Sequence, residues 1–506
     1  LGRDKRGCWL ILLLFFMTGI AIVVYLNQAP YQVRERDYAY AGSFYAFSIW
    51  IGLAVAAIWT GIRDALGSKH GAAFAAAVSL ACLGVPALMA CENWDDHDRS
   101  NRYTAVEMAR NYLASVGENG ILVTHGDNDT FPLWYAQEVE EVRPDVRIVN
   151  TSLLGTDWHI EQMKYAINRS APLDITVPLQ QYLYGTNEII YIYDTRNLPV
   201  PISDVMAIFK HPEIKLTLEN GVRMDFIVSR KIVVPVNREN VLKSGILSEK
   251  FAAEIPDSIV LEIPQNRNFI YKSELFFLDL LSNYQWDRPI HFLGGGGDIE
   301  IGIKSYLMSD GYSSHLVPIR NSVSSYHGYG KVDTDHLYRL ITEEFSFDSL
   351  ARTDYYIDYQ NIYTHLGVMP VRGLAVNSAE AFMKAGENER ALDILDRFRK
   401  ILKREYYPYE TVCMDLNGND YYMCCMIEDY FKLGQKDTAI ELAGDFIDDV
   451  ICSADFFAGF GEYGEERFKS CGNIVFSVCD VLEQFGQKEM ASLAKDRFYR
   501  TVSIQE

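Results

Sequence analysis

His125, Asp127 and Asp129 stand together in the stretch HGDNDTFPLWYAQEVE, directly after the apolar run Ile121-Leu122-Val123-Thr124. Two carboxylates spaced i, i+2 can hold a hard divalent cation, Mg²⁺ or Mn²⁺, through oxygen. Asp-Asn-Asp also fits the loose Asp-x-Asp pattern of sugar-nucleotide transferases. A plainer reading competes with both. Asp129 or Thr130 would be an ordinary N-cap for a helix with Pro132 in its first turn, and Asp127 could close a turn on a backbone N–H. We expect both roles, with Asp129 capping the helix and Asp127 facing a cleft.

A second cluster is NWDDHDR, Asn93 to Arg99. Asp95, Asp96 and His97 could meet a lipid-linked phosphate through a cation or supply a general base; a solvated polar stop after an apolar span is the plain alternative. GGGGD, Gly294 to Asp298, could form an anion-binding backbone nest or simply a loop.

The elements that must position these residues can be read from periodicity. Ala105, Met108, Ala109, Tyr112 and Leu113 form a helical stripe over Tyr103–Val116, with Ser100 or Asn101 as its cap. Strand 121–124, a helix near 132–142 and strand 146–150 make a βαβ unit, hence a parallel pair. A helix over 157–167 follows. Residues 172–265 read as a β-rich insertion, with strands at 226–228, 232–236 and 259–263. A helix over 269–284 then leads to a third parallel strand, 289–293. In open parallel sheets, ligands bind beyond the carboxyl ends of the strands, so the loops after 124, 150 and 293 should converge.

The formal net charge is −21, and residues 1–91 hold seven Lys/Arg against four Asp/Glu. The acidic balance therefore lies in 92–506, which excludes nucleic-acid binding, since that needs clustered positive charge. Cys8–Leu26, Gly42–Ile62 and Gly71–Cys91 are uncharged or nearly so and long enough to span a bilayer. More Lys/Arg flank the side that includes the N-terminus, which predicts a cytoplasmic N-terminus and places 92–506 outside the inner membrane. The chain opens on Leu1 in a charged stretch, as a piece of a longer protein would.

The C-terminal part repeats itself. AFMKAGENERAL, DYFKLGQKDTAI and VLEQFGQKEMAS each place glycine sixth and alanine eleventh: Gly386/Ala391, Gly434/Ala439, Gly486/Ala491. This is the turn of a tetratricopeptide-like helical hairpin. Of nine cysteines, six follow residue 412. No CxxC pair suggests zinc, and disulfides among the six are open in an extracytoplasmic domain.

Several stretches resemble one family: RERDYAYAGSFYAFSIWIGL, CENWDDHDRSNRYTA, GDNDTFPLWYAQEVE with RPDVRIVNTSLL, and TDWHIEQM. They are similar to the C-terminal half of a bacterial family of large membrane proteins, grouped with the transmembrane-protein-260-like protein O-mannosyltransferases. The resemblance covers about residues 30–330. It implies a membrane-embedded glycosyltransferase using a polyprenyl-phosphate sugar donor, whose catalytic acid lies nearer the N-terminus of the family, outside this chain. Asp127, Asp129, Trp134, Asp157 and Trp158 match recurring family motifs, without assigned roles. The expected architecture is α/β plus all-α: three transmembrane helices (1–91), an open parallel α/β domain (92–330) with its insertion, and helical repeats (331–506). The soluble part would bind acceptor protein or glycan. The alternatives are a non-enzymatic scaffold that binds partners through its repeats, and a metal-dependent enzyme working at the 125–129 loop.

Overall fold

The computed structural model describes residues 5–27, 36–195, 197–211, 213–217, 221–294, 299–321, 330–352, 354–355, 357, 367–412 and 418–502. The chain forms two compact units, Leu1–Ser100 and Asn101–Glu506.

The first unit holds three apolar helices, Lys5–Leu26, Tyr38–Leu66 and Gly71–Glu92, of 22, 29 and 22 residues. Each is long enough to cross a bilayer, which takes about 20 apolar residues. The first and second approach closely where side chains are small: a Cβ on Gly19 would come within 2.7 Å of Ser43 Oγ. Small residues allow such approach in apolar surroundings, where dispersion and not water exclusion holds helices together. Phe15 packs its ring on Trp50 along the same pair. One further turn of helix, Trp94–His97, follows.

The second unit opens with α1 (Thr104–Ala114), β1 (Ile121–Thr124), α2 (Asp127–Glu138), β2 (Arg147–Asn150) and α3 (Asp157–Met163). After an insertion come α4 (Lys272–Ser282), β3 (Ile290–Leu293), β4 (Leu307–Asp310), β5 (Ser313–Leu316) and α5 (Thr334–Arg339). The five strands make one sheet in the order β4-β5-β3-β1-β2. β1 lies parallel between β3 and β2. β5 runs antiparallel to both β3 and β4. The sheet is therefore mixed, not the open parallel sheet expected. The difference is the β4–β5 hairpin, closed by Asp310-Gly311-Tyr312-Ser313 with Gly311 at φ 82°. A two-residue hairpin loop needs such a positive φ, which glycine reaches without strain.

Several boundaries differ from expectation for local reasons. α2 starts five residues earlier than the 132–142 expectation, so Pro132 lies inside it and not in the first turn. α1 begins after Tyr103 with no side-chain cap, so neither Ser100 nor Asn101 serves. α3 stops at Met163. Phe269–Tyr271 is a strand, paired antiparallel with Ile189–Ile192, and only then does α4 begin. The insertion adds a second small sheet in which Lys231–Pro235 pairs antiparallel with Ser258–Glu262. Its Ile190, Ile232, Val234, Ile259 and Leu261 join Val123, Phe277 and Phe292 in one apolar core.

The C-terminal region is helical: α6 (Val368–Lys384), α7 (Asn388–Ile401), α8 (Asn419–Lys432), α9 (Lys436–Ala458), α10 (Glu465–Gln484) and α11 (Lys488–Val502). They form three hairpins, and Gly386, Gly434 and Gly486 sit in the turns at φ 78°, 76° and 78°. In each turn the residue after glycine donates its N–H back across the helix end: Glu387 to Phe382, Gln435 to Tyr430, Gln487 to Leu482. That is a Schellman closure. The same residue's carbonyl accepts from Ala391, Ala439 or Ala491, starting the next helix. All three alanines are fully buried.

Gly434→Val should cost about 1–3 kcal/mol, because a β-branched side chain resists positive φ. The space around Gly434 is open, so the cost is backbone strain alone. Gly434→Ala should cost less, and equal melting temperatures for parent and both variants would contradict the strain.

Cys424, Cys425, Cys452 and Cys479 are free thiols. The disulfides left open for this region do not form among these four; Cys413 lies outside the described residues.

Candidate functional site

The expected convergence of strand ends is present. His125 sits between the ends of β1, β2 and β3. Its Nε2 lies 2.8 Å from the Leu293 carbonyl, and Ser152 Oγ donates to the His125 carbonyl. Beneath it, Thr124, Thr130 and Asn150 form a buried hydrogen-bonded set, with Thr124 Oγ1 to Thr130 Oγ1 at 2.7 Å and Asn150 Nδ2 to Thr130 Oγ1 at 2.8 Å. Gly295–Asp298 of the glycine run lie outside the described residues.

Asp129 is not the N-cap but the third helical residue of α2. Its two carboxylate oxygens reach back and accept from Gly126 N–H and His125 N–H, each at 2.8 Å. A carboxylate here also favours the positive end of the helix dipole. Asp129→Ala should therefore cost about 1–2 kcal/mol, at the upper end for a cap. Asp129→Ser should recover little of this, since one short hydroxyl cannot reach both amides. A serine variant with parental thermal stability would contradict this double capping.

Asp127 is exposed, and none of the described side-chain contacts includes its carboxylate. Trp134 stacks on Phe131, with ring centroids 5.5 Å apart. Asp157 opens α3 and accepts from Trp158 N–H; the half-exposed Trp158 ring packs edge-on against His159. Asp95, Asp96 and His97 are exposed in the first unit, where His97 Nδ1 meets the Asn93 carbonyl.

A different set of residues lines a cleft of about 700 Å³ in the second unit. It opens beside the amino ends of β1 and β3, between segment 242–251 and α5, with Gly117, Pro289 and Arg339 on its walls. None of the nine residues singled out from sequence lines it. Its deepest feature is built by strand register. His291 of β3 faces His315 of β5 directly, and Asp310 ends β4 opposite Ser313, two residues before His315. Residues two apart in a strand share a face, so all three side chains point the same way. His291, Asp310 and His315 are 2%, 5% and 7% exposed.

Asp310 is the hub of this group. Its Oδ2 lies 2.5 Å from His315 Nδ1 and 3.6 Å from His291 Nδ1, and its Oδ1 lies 3.7 Å from His336 Nε2 on α5. Burial opposes the Asp310 charge, but His315, His291 and His336 hold its carboxyl below the usual range. Burial opposes charge on His315 as well, yet Asp310 and the Ile246 carbonyl keep its pKa raised. Burial dominates at His291, which falls to about 3 and is neutral. Gly117 N–H donates to its Nε2 at 3.2 Å, so Nδ1 carries its proton, 3.0 Å from Ser313 Oγ. His315 Nε2–H donates to the Ile246 carbonyl at 2.7 Å.

The fold defines a chain with three helices of membrane-spanning length, a mixed-sheet region in the middle and a helical C-terminal region. Residues 105–336 match the family model of TMEM260-associated domain 2. That match, over less than half of the chain, is consistent with the TMEM260-like grouping that its motifs suggested. No curated protein and no solved structure matches it significantly.

Proposed function

We propose that this protein serves a membrane-embedded glycosyltransferase that takes its sugar from a polyprenyl-phosphate donor, with the second unit outside the cytoplasm binding acceptor protein or glycan. The observation that carries the reading is the TMEM260-associated domain 2 match, in a chain with three apolar helices. The 700 Å³ cleft is large enough for a few sugar rings or a peptide side chain. The exposed Asp127, and Asp157 with the half-exposed Trp158 at the start of α3, are further candidates for an acceptor-facing role. Carboxylates there would take sugar hydroxyls or, with water, Mg²⁺ or Mn²⁺.

The test is genetic. In-frame removal of 101–506, with the three helices retained, should abolish a class of glycopeptides from extracytoplasmic proteins, read by mass spectrometry. An unchanged glycopeptide profile would sink the reading. Topology gives a separate check. A cysteine engineered at exposed Asp127 should react with a membrane-impermeant reagent while the inner membrane is intact. Reaction only after lysis would place the unit in the cytoplasm and undermine the proposal.

A scaffold reading has one specific support. Phe456, Phe460 and Tyr463 are 60%, 52% and 98% exposed at the end of α9, with the two Phe rings 4.9 Å apart. Exposed aromatic groups of this kind suit a protein partner. A 101–506 deletion that spares glycosylation but abolishes co-purification of a partner would favour it.

A further inference from the structure

We infer that His291, Asp310 and His315 form a binding site for one borderline divalent cation of the Zn²⁺ type. The inference goes beyond the glycosyltransferase reading and does not depend on it. The metal-ligating atoms of the three side chains all lie within 4.8 Å of one another, a spacing one ion can bridge. Two imidazoles and a carboxylate are the donor set of many zinc centres; Mg²⁺ and Ca²⁺ prefer all-oxygen sites. Three protein ligands leave a fourth tetrahedral position, and all three residues line the cleft. That position would take an oxygen from water or from a cleft ligand.

The surroundings also suit a ligand set. Without an ion, His315 Nδ1 pairs with Asp310 Oδ2 at 2.5 Å, and a cation would take the place of the proton between them. The His315 Nε2–H is held by the Ile246 carbonyl, the outer bond that fixes a histidine ligand's tautomer and leaves Nδ1 to face a metal. His336 and Ser313 stand beside the group as outer partners. His291 is the adjustable member. To ligate through Nδ1 it must move its proton to Nε2 and give up the 3.2 Å bond from Gly117. Asp310 and His315 are therefore the anchoring pair. Three strands brought together by register supply the ligands, so their backbones are placed before an ion arrives.

The full chain, untagged and in detergent, would be stripped with chelator, exposed to Zn²⁺ and passed through gel filtration. Elemental analysis should find about one zinc per chain, and Zn²⁺ should raise the melting temperature. Co²⁺ in its place should give the visible bands of a four-coordinate N/O site. Asp310→Asn and His315→Gln should each weaken binding at least about 100-fold, and His291→Gln less. Circular dichroism of the metal-free variants separates lost ligands from lost fold. Should the variants misfold, the parent's stoichiometry and cobalt spectrum decide. The inference is overturned if the parent retains no stoichiometric zinc. It is equally overturned if folded Asp310→Asn retains it unchanged, or if the double variant Cys424→Ser, Cys425→Ser loses it. Each readout is independent of sugar transfer.

Discussion

Replacing Asp279 with alanine is expected to cost about 3–5 kcal/mol, because it removes the shared acceptor of a buried hydrogen-bond network. Asp279 lies on α4 and is fully buried. Its Oδ1 accepts from Thr176 N–H at 3.2 Å and Thr176 Oγ1 at 2.9 Å; its Oδ2 accepts from Val177 N–H at 2.8 Å and Tyr182 OH at 3.3 Å. These bonds pin the start of the insertion onto the helix that leads into β3. Alanine leaves the buried Val177 N–H and the part-buried Thr176 N–H without their acceptor, and a buried group so stranded costs about 1–3 kcal/mol. Asp279→Asn should lose less, since the amide oxygen still serves one pair of donors while its nitrogen faces the other. Calorimetry would give the loss, and hydrogen exchange should show the Thr176 and Val177 amides unprotected first. Stability within about 1 kcal/mol of the parent would mean that water replaces the carboxylate and that the pin is not needed.

The second large effect has the opposite sign. Asp429→Ala should stabilise the protein by up to about 4 kcal/mol at pH 8 and by little at pH 4. Burial drives the Asp429 carboxyl up to about 7; Lys432, 3.5 Å away, offsets only part of it, and Glu428 and Glu380 add to the rise. Its Oδ2 is buried without a partner. A carboxyl whose folded pKa exceeds its unfolded value favours the fold when protonated. That contribution is complete below about pH 4 and is lost as pH rises to about 7. Above this, the folded state holds a poorly solvated charge. The repeat itself shows what fits: the equivalent positions of the other hairpins are Ala381 and Val481. Unfolding measured from pH 4 to pH 8 should show the parent weakening relative to the variant across that window. A constant difference between the two would contradict the raised pKa.

Much of the fold was legible because local signals and tertiary demands agree. Three uncharged apolar runs could only be membrane-length helices. Short apolar runs placed β1 and β2, both wholly buried, and a helix between them whose start lies five residues earlier than expected. The glycine–alanine spacing of the C-terminal repeats fixed three turns, because positive φ and close helix approach each leave few residue choices.

Asp129 was legible only in part. Its sequence position announces a helix start, but whether it caps from outside or from the third helical residue depends on where the chain turns after β1. That turn is set by the buried Thr124–Thr130–Asn150 contacts with β2. The His291–Asp310–His315 group was not read at all. Asp310-Gly311 did carry a hairpin signal, yet that signal fixes only β4 against β5. His291 lies 24 residues before His315, and its place beside Asp310 depends on the register of β5 against β3. A shift of one residue in that register would turn His315 to the opposite face. The sequence by itself determined the elements, their apolar faces and the helical turns. The tertiary structure alone decided which polar side chains share the cleft, because pairing between distant strands is settled by burial of a whole sheet face and not by any residue's neighbours in the chain.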